Sequence, residues 1–396
     1  MSAVRKILIA IKEPNSRPIP AVLKAAQLAR AHGASLELFH VLTPEMYPAP
    51  LIGSEQFFAT LEIDARQTAI RRLEAMADRL RLHSIKVTVS AAWDFPAHDA
   101  IVRRAQAIKA DLIVVSQHAG KHRAQWFMRL TDWELIRLSP VSLLLVKNPH
   151  LYRHPTVLAA IDPSRAHQKP QTLDRNILRT ASKWSTLLHG SLHAVHAYAR
   201  FPLSMSPETL TPELLDSLQR DAEGAALKRF TRALAPQRIP RKRQHLSALS
   251  PVEAITATAS ETRSAIVVMG ALSRSGIKRL LIGNTAEHVL DALPCDVLVV
   301  KPGDFRNQVP KKSRGAPYSV TCAAYGGRGN SIEAYQYARH GTEIARKAPR
   351  MARAAGTQSG PRRDSRDGGR LRGLPHGPAR GGRGTGAAQA APRPWP

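Results

Sequence analysis

Lys6-Ile-Leu-Ile-Ala-Ile-Lys12 and Ser139-Pro-Val-Ser-Leu-Leu-Leu-Val-Lys147 decide the fold, because each occurs twice. The first returns as Thr156-Val-Leu-Ala-Ala-Ile-Asp162 and the second as Leu293-Pro-Cys-Asp-Val-Leu-Val-Val-Lys301. Between them, Leu36-Glu-Leu-Phe-His40 returns as Leu192-His-Ala-Val-His196, and Ile113-Val-Val115 as Ile266-Val-Val268. The offsets are 150, 154, 156 and 153, so the landmarks keep their order with only small insertions. Self-similarity at a fixed period marks a duplicated unit. The expected organisation is one module over 1–150, a second over 151–305, and a remainder over 306–396, with the boundary near Asn148-Pro149-His150.

Inside each module, short apolar runs alternate with longer amphipathic stretches. In the first module the runs are 6–11, 35–42, 85–91, 111–116 and 141–146, with helical patterns near 19–32, 54–82, 97–109 and 131–138. In the second the runs are 156–161, 191–198, 243–247, 265–269 and 296–300. Continuous Val/Ile/Leu runs indicate strands buried on both faces, and strand–helix alternation gives a parallel sheet covered by helices on both sides. The fold class is therefore α/β: two tandem, doubly wound, five-stranded parallel-sheet domains of Rossmann-like type. Domains of this kind bind ligands beyond the carboxyl ends of the strands, where strand order reverses.

Composition bounds the rest. The chain has 396 residues with 58 Lys+Arg against 30 Asp+Glu. Residues 306–396 carry 18 basic and 4 acidic residues, 15 of the 24 glycines, and only six Ile, Leu or Val. Such a segment buries too little apolar surface to offset its ordering entropy, so a disordered tail is expected. No apolar run approaches the roughly 20 residues needed to span a bilayer, and no signal-peptide layout is present. With Cys295 and Cys322 as the only cysteines, neither a disulfide framework nor a cysteine metal site is available. These features point to a soluble, cytoplasmic body.

The stretch with most chemistry is Gly270-Ala-Leu-Ser-Arg-Ser-Gly276-Ile-Lys-Arg-Leu-Leu-Ile-Gly283-Asn284-Thr285-Ala-Glu287. A strand-end glycine lets backbone N–H groups approach an anion, and a second glycine before amide and hydroxyl side chains at a helix start adds donors and the helix dipole. Lys278 and Arg279 would add positive charge. The plainer reading is a glycine-punctuated loop with Asn284 or Thr285 as an ordinary helix N-cap.

Taken together, Ala160-Ile-Asp162-Pro, Val268-Met-Gly270, Gly283-Asn-Thr-Ala-Glu287 and the Pro294-to-Lys301 strand resemble the universal stress protein family. Thr131-Asp-Trp133 in the first copy and the duplication point to its tandem-domain form. The resemblance covers 1–305 and implies a stress-response role, including survival of DNA damage. ATP-binding members of the family have a Gly-x2-Gly-x9-Gly-[Ser/Thr] loop and an aspartate ending the first strand. By position, the resemblance implies ligand contacts from Asp162, Gly270, Ser273, Gly283, Asn284 and Thr285, with ATP or another small anionic ligand as the occupant, and Gly276 in the same stretch is a further candidate. Ser273 stands where the motif has a glycine, and Asn284 where it has a hydroxyl. In the first copy the matching positions are Lys12, Ser116, Ala119, Arg129 and Leu130, so no phosphate cradle survives there.

The remaining candidates have structural readings. His118 and His122 lack a third ligand and read as a surface pair rather than a metal site. His40 and His196, at equivalent strand ends, either line a cleft or form local hydrogen bonds. Cys295 reads as a core thiol, and Trp126, Phe127 and Trp133 as packing between modules or against a partner. No recognised hydrolase, P-loop, dinucleotide or zinc-protease motif occurs, so the expected role is non-catalytic binding, with a weak ATP hydrolase as the alternative. The tail's Arg362-Arg-Asp-Ser-Arg-Asp-Gly-Gly-Arg-Leu-Arg372 and Arg380-Gly-Gly-Arg-Gly384 would suit nucleic-acid backbones. The same composition fits a solvated run or a frameshifted end. The two modules are expected to pair with each other about a pseudo-twofold axis, since their repeated edge strands offer like surfaces.

Overall fold

The computed structural model describes residues 4–14, 19–43, 55–116, 125–164, 171–198, 211–270 and 292–303, with 290, 305, 307 and 309–311; for 55–59, 125–130, 171 and 212 it describes the backbone alone. The first module runs β1 (Lys6–Ile11), α1 (Pro20–His32), β2 (Ser35–Leu42), α2 (Glu55–Arg81), β3 (Val87–Trp93), α3 (Ala97–Ala107), β4 (Leu112–Ser116), α4 (Gln125–Leu138) and β5 (Ser142–Val146). The second runs β6 (Thr156–Ala160), α5 (Gln171–Leu187), β7 (Ser191–Ala197), α6 (Pro212–Leu234), β8 (Gln244–Ser247), α7 (Pro251–Glu261), β9 (Ile266–Gly270) and β10 (Asp296–Val300).

All ten strands form one sheet in the order β3-β2-β1-β4-β5-β10-β9-β6-β7-β8. Every pairing within a module is parallel. The join between modules is antiparallel, with Leu144 opposite Leu298, Leu143 opposite Val299 and Leu145 opposite Val297. Leu298 is the 154-residue counterpart of Leu144, so each stands opposite its own equivalent and the pseudo-twofold axis passes between them. The expected pairing of like edges is thus observed, as one continuous sheet.

The strands at the centre, β5 and β10, are buried at every position. One face of the sheet packs under α1, α2, α5 and α6, through Leu28, Leu73, Trp184 and Phe230. The other packs under α3, α4 and α7, through Val102, Leu135 and Ala254. This double covering is why the strand sequences are apolar throughout instead of alternating. Local signals place the helices. Pro20 opens α1, and Gly33 ends it at φ 66°, a left-handed conformation glycine adopts without steric cost. Ser250 and Glu253 form a reciprocal capping box at the start of α7, satisfying two N-terminal donors.

Three boundaries differ from the sequence reading. β3 starts at Val87 rather than 85, because Ile85 is buried beneath the sheet while ladder pairing begins at Leu36–Val87. Helix α4 begins at Gln125, earlier than 131. Packing also continues past 305: Val309 is buried in the α3/α4 face, Asn307 Nδ2 donates to Gln106 Oε1 at 2.9 Å, and Arg103 donates to the Pro310 carbonyl at 3.2 Å. The end of the second module is thereby strapped onto α3 of the first. Residues 312–396, with both arginine-rich stretches of the tail, lie outside the described residues.

Candidate functional site

In the second module β6 and β9 are hydrogen-bonded neighbours. From β6 the chain proceeds to β7 and β8 on one side, while β9 leads to β10 on the other. The crevice past the carboxyl ends of β6 and β9 is therefore the switch point where α/β sheets bind ligands. Asp162 lies just beyond β6, and Gly270 closes β9. The structure brings these two candidates to the same end of adjacent strands. Ser273, Gly276, Gly283, Asn284 and Thr285, with Lys278 and Arg279, lie outside the described residues.

Asp162 is held by its surroundings. Its Oδ1 accepts the Ser164 backbone N–H at 3.2 Å and the Ser164 hydroxyl. Its own N–H donates to Asp174 Oδ1 at 3.2 Å, and Asp174 lies in the first turn of α5, where the helix dipole favours a negative charge. About a third of the Asp162 side chain is exposed, and His196 Nδ1 lies 3.9 Å away. Sequence reading did not single out Ser164 or Asp174. An acid in the first turn of the helix that follows the strand end was the available signal.

Gly270 has a packing reason as well as a place at the crevice. A Cβ there would meet Leu173 Cδ2 at 2.7 Å and Ile177 Cδ1 at 3.2 Å, so α5 lies against the strand end because the side chain is absent. The first-module equivalent, Ser116, carries a buried hydroxyl with no hydrogen-bond partner among the described residues.

The paired histidines take the local hydrogen-bond role. His40 Nδ1–H donates to the Ile11 carbonyl at 2.8 Å, and His196 Nδ1–H donates to the Ile161 carbonyl at 3.3 Å. A carbonyl only accepts, so the proton sits on Nδ1 in both. Burial lowers both pKa values, outweighing the carbonyl at His40 and Asp162 at His196, which keeps the rings neutral. Each histidine ties a β2-type strand to the chain leaving the β1-type strand.

The first-module crevice has different chemistry. Lys12 replaces the strand-end aspartate, is half exposed and pairs with Glu13 at 3.8 Å. Asp132 of α4 is pushed up to about 7 by burial, against the opposing pull of Lys12 and Lys147. Ala119, His118 and His122, and the side chains of Trp126, Phe127, Arg129 and Leu130, lie outside the described residues, while Trp133 packs partly buried on the α3/α4 face. Cys295 is buried and unpaired, and burial raises its thiol to about 11, as a core thiol requires. Among the described residues no group of three or more His, Cys, Asp or Glu is placed to hold a metal ion, and no helix is long and apolar enough to cross a membrane.

The Universal stress protein family model matches residues 3–147 and 156–301. The chain is 22% identical over 302 residues to Universal stress protein E of Photorhabdus laumondii, covering 75% of this chain and 95% of that one. To Universal stress protein E of Escherichia coli K12 it is 24% identical over 320 residues, covering 78% and 98%. A solved structure of a protein of unknown function from Pseudomonas aeruginosa PAO1 aligns at TM-score 0.56 and 25% identity, over 76% of this chain and 94% of that one. A universal stress protein from Archaeoglobus fulgidus shares the fold at TM-score 0.51 and 17% identity, over 75% and 97%. With both halves of the duplicated body matched separately, the chain belongs to the universal stress protein family, as a tandem pair of its domains.

Proposed function

We propose that this protein is a non-catalytic, cytoplasmic stress-response factor, contributing to survival of DNA damage, whose second module alone takes a small anionic or nucleotide-like ligand. The observation that carries the reading is the contrast at equivalent strand ends: Asp162 beside Gly270 in one module, Lys12 beside Ser116 in the other. Asp162, oriented by Ser164 and partly open to solvent, suits hydroxyl or amino hydrogens of a sugar or base. The described wall of the crevice is acidic, with Asp162 and Asp174 together. The anionic end of a ligand would therefore sit toward Gly270, with Ser273, Gly276, Gly283, Asn284 and Thr285 as its expected contacts. ATP fits this division, and its triphosphate would supply the negative charge for those contacts. Occupancy would change which partners the protein engages.

Native mass spectrometry of gently purified full-length protein, with thermal shift on adding ATP, tests the reading. A bound small molecule or a rise in Tm, lost in Asp162→Ala, is expected, since a ligand that binds only the folded state stabilises it. An empty protein with no shift in either measurement would overturn it. Release of ADP by the wild type, abolished in Asp162→Ala, would favour the hydrolase alternative.

A further inference from the structure

The join between the modules contains two kinds of polar contact, and they differ in symmetry. One kind obeys the pseudo-twofold. Lys147, just after β5, donates from Nζ to the carbonyls of Leu290 and, at 2.7 Å, Leu293 in the second module. Its counterpart Lys301, just after β10, donates from Nζ to the Ile136 carbonyl in the last turn of α4. Each lysine thus crosses the seam to a backbone carbonyl of the opposite module, and Leu290 is the 154-residue counterpart of Ile136. Because both modules supply the same lysine and the same acceptor position, these contacts would form in any pairing of modules, like or unlike.

The second kind breaks the symmetry. Asp296, at the start of β10, is fully buried. Its Oδ2 accepts from Lys24 Nζ of α1 at 2.5 Å and from the Tyr152 hydroxyl at 2.6 Å. Its Oδ1 accepts the backbone N–H groups of Lys147 at 2.9 Å and Asn148 at 3.0 Å. Lys24 is equally buried, and its ammonium lies 4.7 Å from the Tyr152 ring centroid. Tyr152 is fixed in turn by Gln27, which exchanges two hydrogen bonds with its backbone at 2.6 and 3.0 Å.

On the other side of the axis neither position of the ion pair carries a charge. Ser142 stands where Asp296 would be, at the 154-residue offset. Helices α1 and α5 superpose at the 156-residue offset, since Ala34 N–H bonds the Ala29 carbonyl just as Gly190 N–H bonds the Ser185 carbonyl. That register puts Thr180 in the place of Lys24. Thr180 is buried, and its hydroxyl has no hydrogen-bond partner among the described residues. Pro302 replaces Asn148 and has no N–H to give.

From this asymmetry we infer that the Lys24–Asp296 pair is a pairing code: it makes the β5 edge of the first module select the β10 edge of the second, and reject its own kind in another copy of the chain. A first-with-first seam would bury Lys24 opposite serine. A second-with-second seam would bury Asp296 opposite threonine, with Pro302 in place of a donor. An uncompensated buried charge is strongly unfavourable, and registry is the best-attested role of buried ionic groups.

Residue 144 gives a direct readout, because in a first-with-first seam it would face its own copy. In a full-length chain carrying Leu144→Cys, Cys295→Ala and Cys322→Ala, refolding under oxidising conditions should yield little disulfide-linked dimer on a non-reducing gel. Adding Lys24→Thr with Asp296→Ser should raise that dimer by roughly tenfold. Equal yields with and without the two changes would overturn the inference. A second measurement stands if the doubly changed chain does not fold. Full-length Lys24→Thr and Asp296→Ser chains, refolded together, can restore the ion pair only between chains. The mixture should then contain more heterodimer, by light scattering and native mass spectrometry, than either variant alone contains dimer; no excess in the mixture would count against the pairing code.

Discussion

The two modules share a strand order, a helix covering and even a strand-end histidine, yet their polar residues have diverged at two places. At the carboxyl ends of the first and fourth strands the first module has Lys12 and Ser116, and the second has Asp162 and Gly270. At the seam the first contributes Lys24 and Ser142, and the second Thr180 and Asp296. Backbone architecture survives such changes because buried apolar runs specify it. Binding and pairing rest on a handful of charges and differ from one copy to the other.

The seam should show the largest difference. Asp296→Ala leaves Lys24 buried without its carboxylate and should cost about 3–5 kcal/mol, whereas Ser142→Ala at the matching position should cost about 1 kcal/mol. Urea unfolding of both variants measures the contrast, and equal losses would break it.

Next in size is Gly270→Ala. The added methyl is driven toward Leu173 and Ile177, and overpacking of this kind costs about 1–3 kcal/mol. Ser116→Ala in the first module adds no volume and removes a buried hydroxyl without a partner among the described residues, so its stability should be unchanged or slightly higher. Thermal melts distinguish the two.

The modules should also oppose one another in pH dependence. Asp132 has its folded pKa raised to about 7 from 3.8, so the folded state holds the extra proton and stability falls as pH rises through that window. Lys301 has its folded pKa lowered by burial to about 7 from 10.5, so the unfolded state holds the extra proton and stability recovers as pH rises from about 7 toward 10.5. Asp132→Asn should flatten the acid arm and Lys301→Met the alkaline arm, each by on the order of 2 kcal/mol. A pH series of denaturation midpoints with unchanged arms would remove these groups as the cause.

A small stability effect belongs to the residue with the largest proposed functional one. Asp162 is partly exposed, so Asp162→Ala should shift stability by less than about 1 kcal/mol while removing the thermal response to ATP. Lys12→Ala should leave that response intact.

Much of this contrast was legible in advance. The strand runs, the 154-residue recurrence and the substitution of Lys12 for an aspartate could all be read along the chain. Asp162 and Gly270 could be placed at one crevice because parallel α/β topology puts every strand's carboxyl end on the same side. Packing of Gly270 against α5 was not legible, since it depends on how closely Leu173 approaches. The packing of Asn307, Val309 and Pro310 beside α3 was also missed: Val309 stands isolated in a polar, proline-bearing stretch, and only the fold brings it into the α3/α4 face next to Arg103 and Gln106.

By itself the sequence determined the duplication, the ten strands and the two-sided helix cover, because these follow from apolar periodicity within short windows. Only the tertiary structure decided that Lys24 and Asp296, 272 residues apart, share one buried corner, and that Lys147 and Lys301 each reach across the axis. A lysine or aspartate looks solvent-bound when read along the chain. Its energy depends on what stands opposite once water has been excluded, and the antiparallel join of β5 to β10 set that.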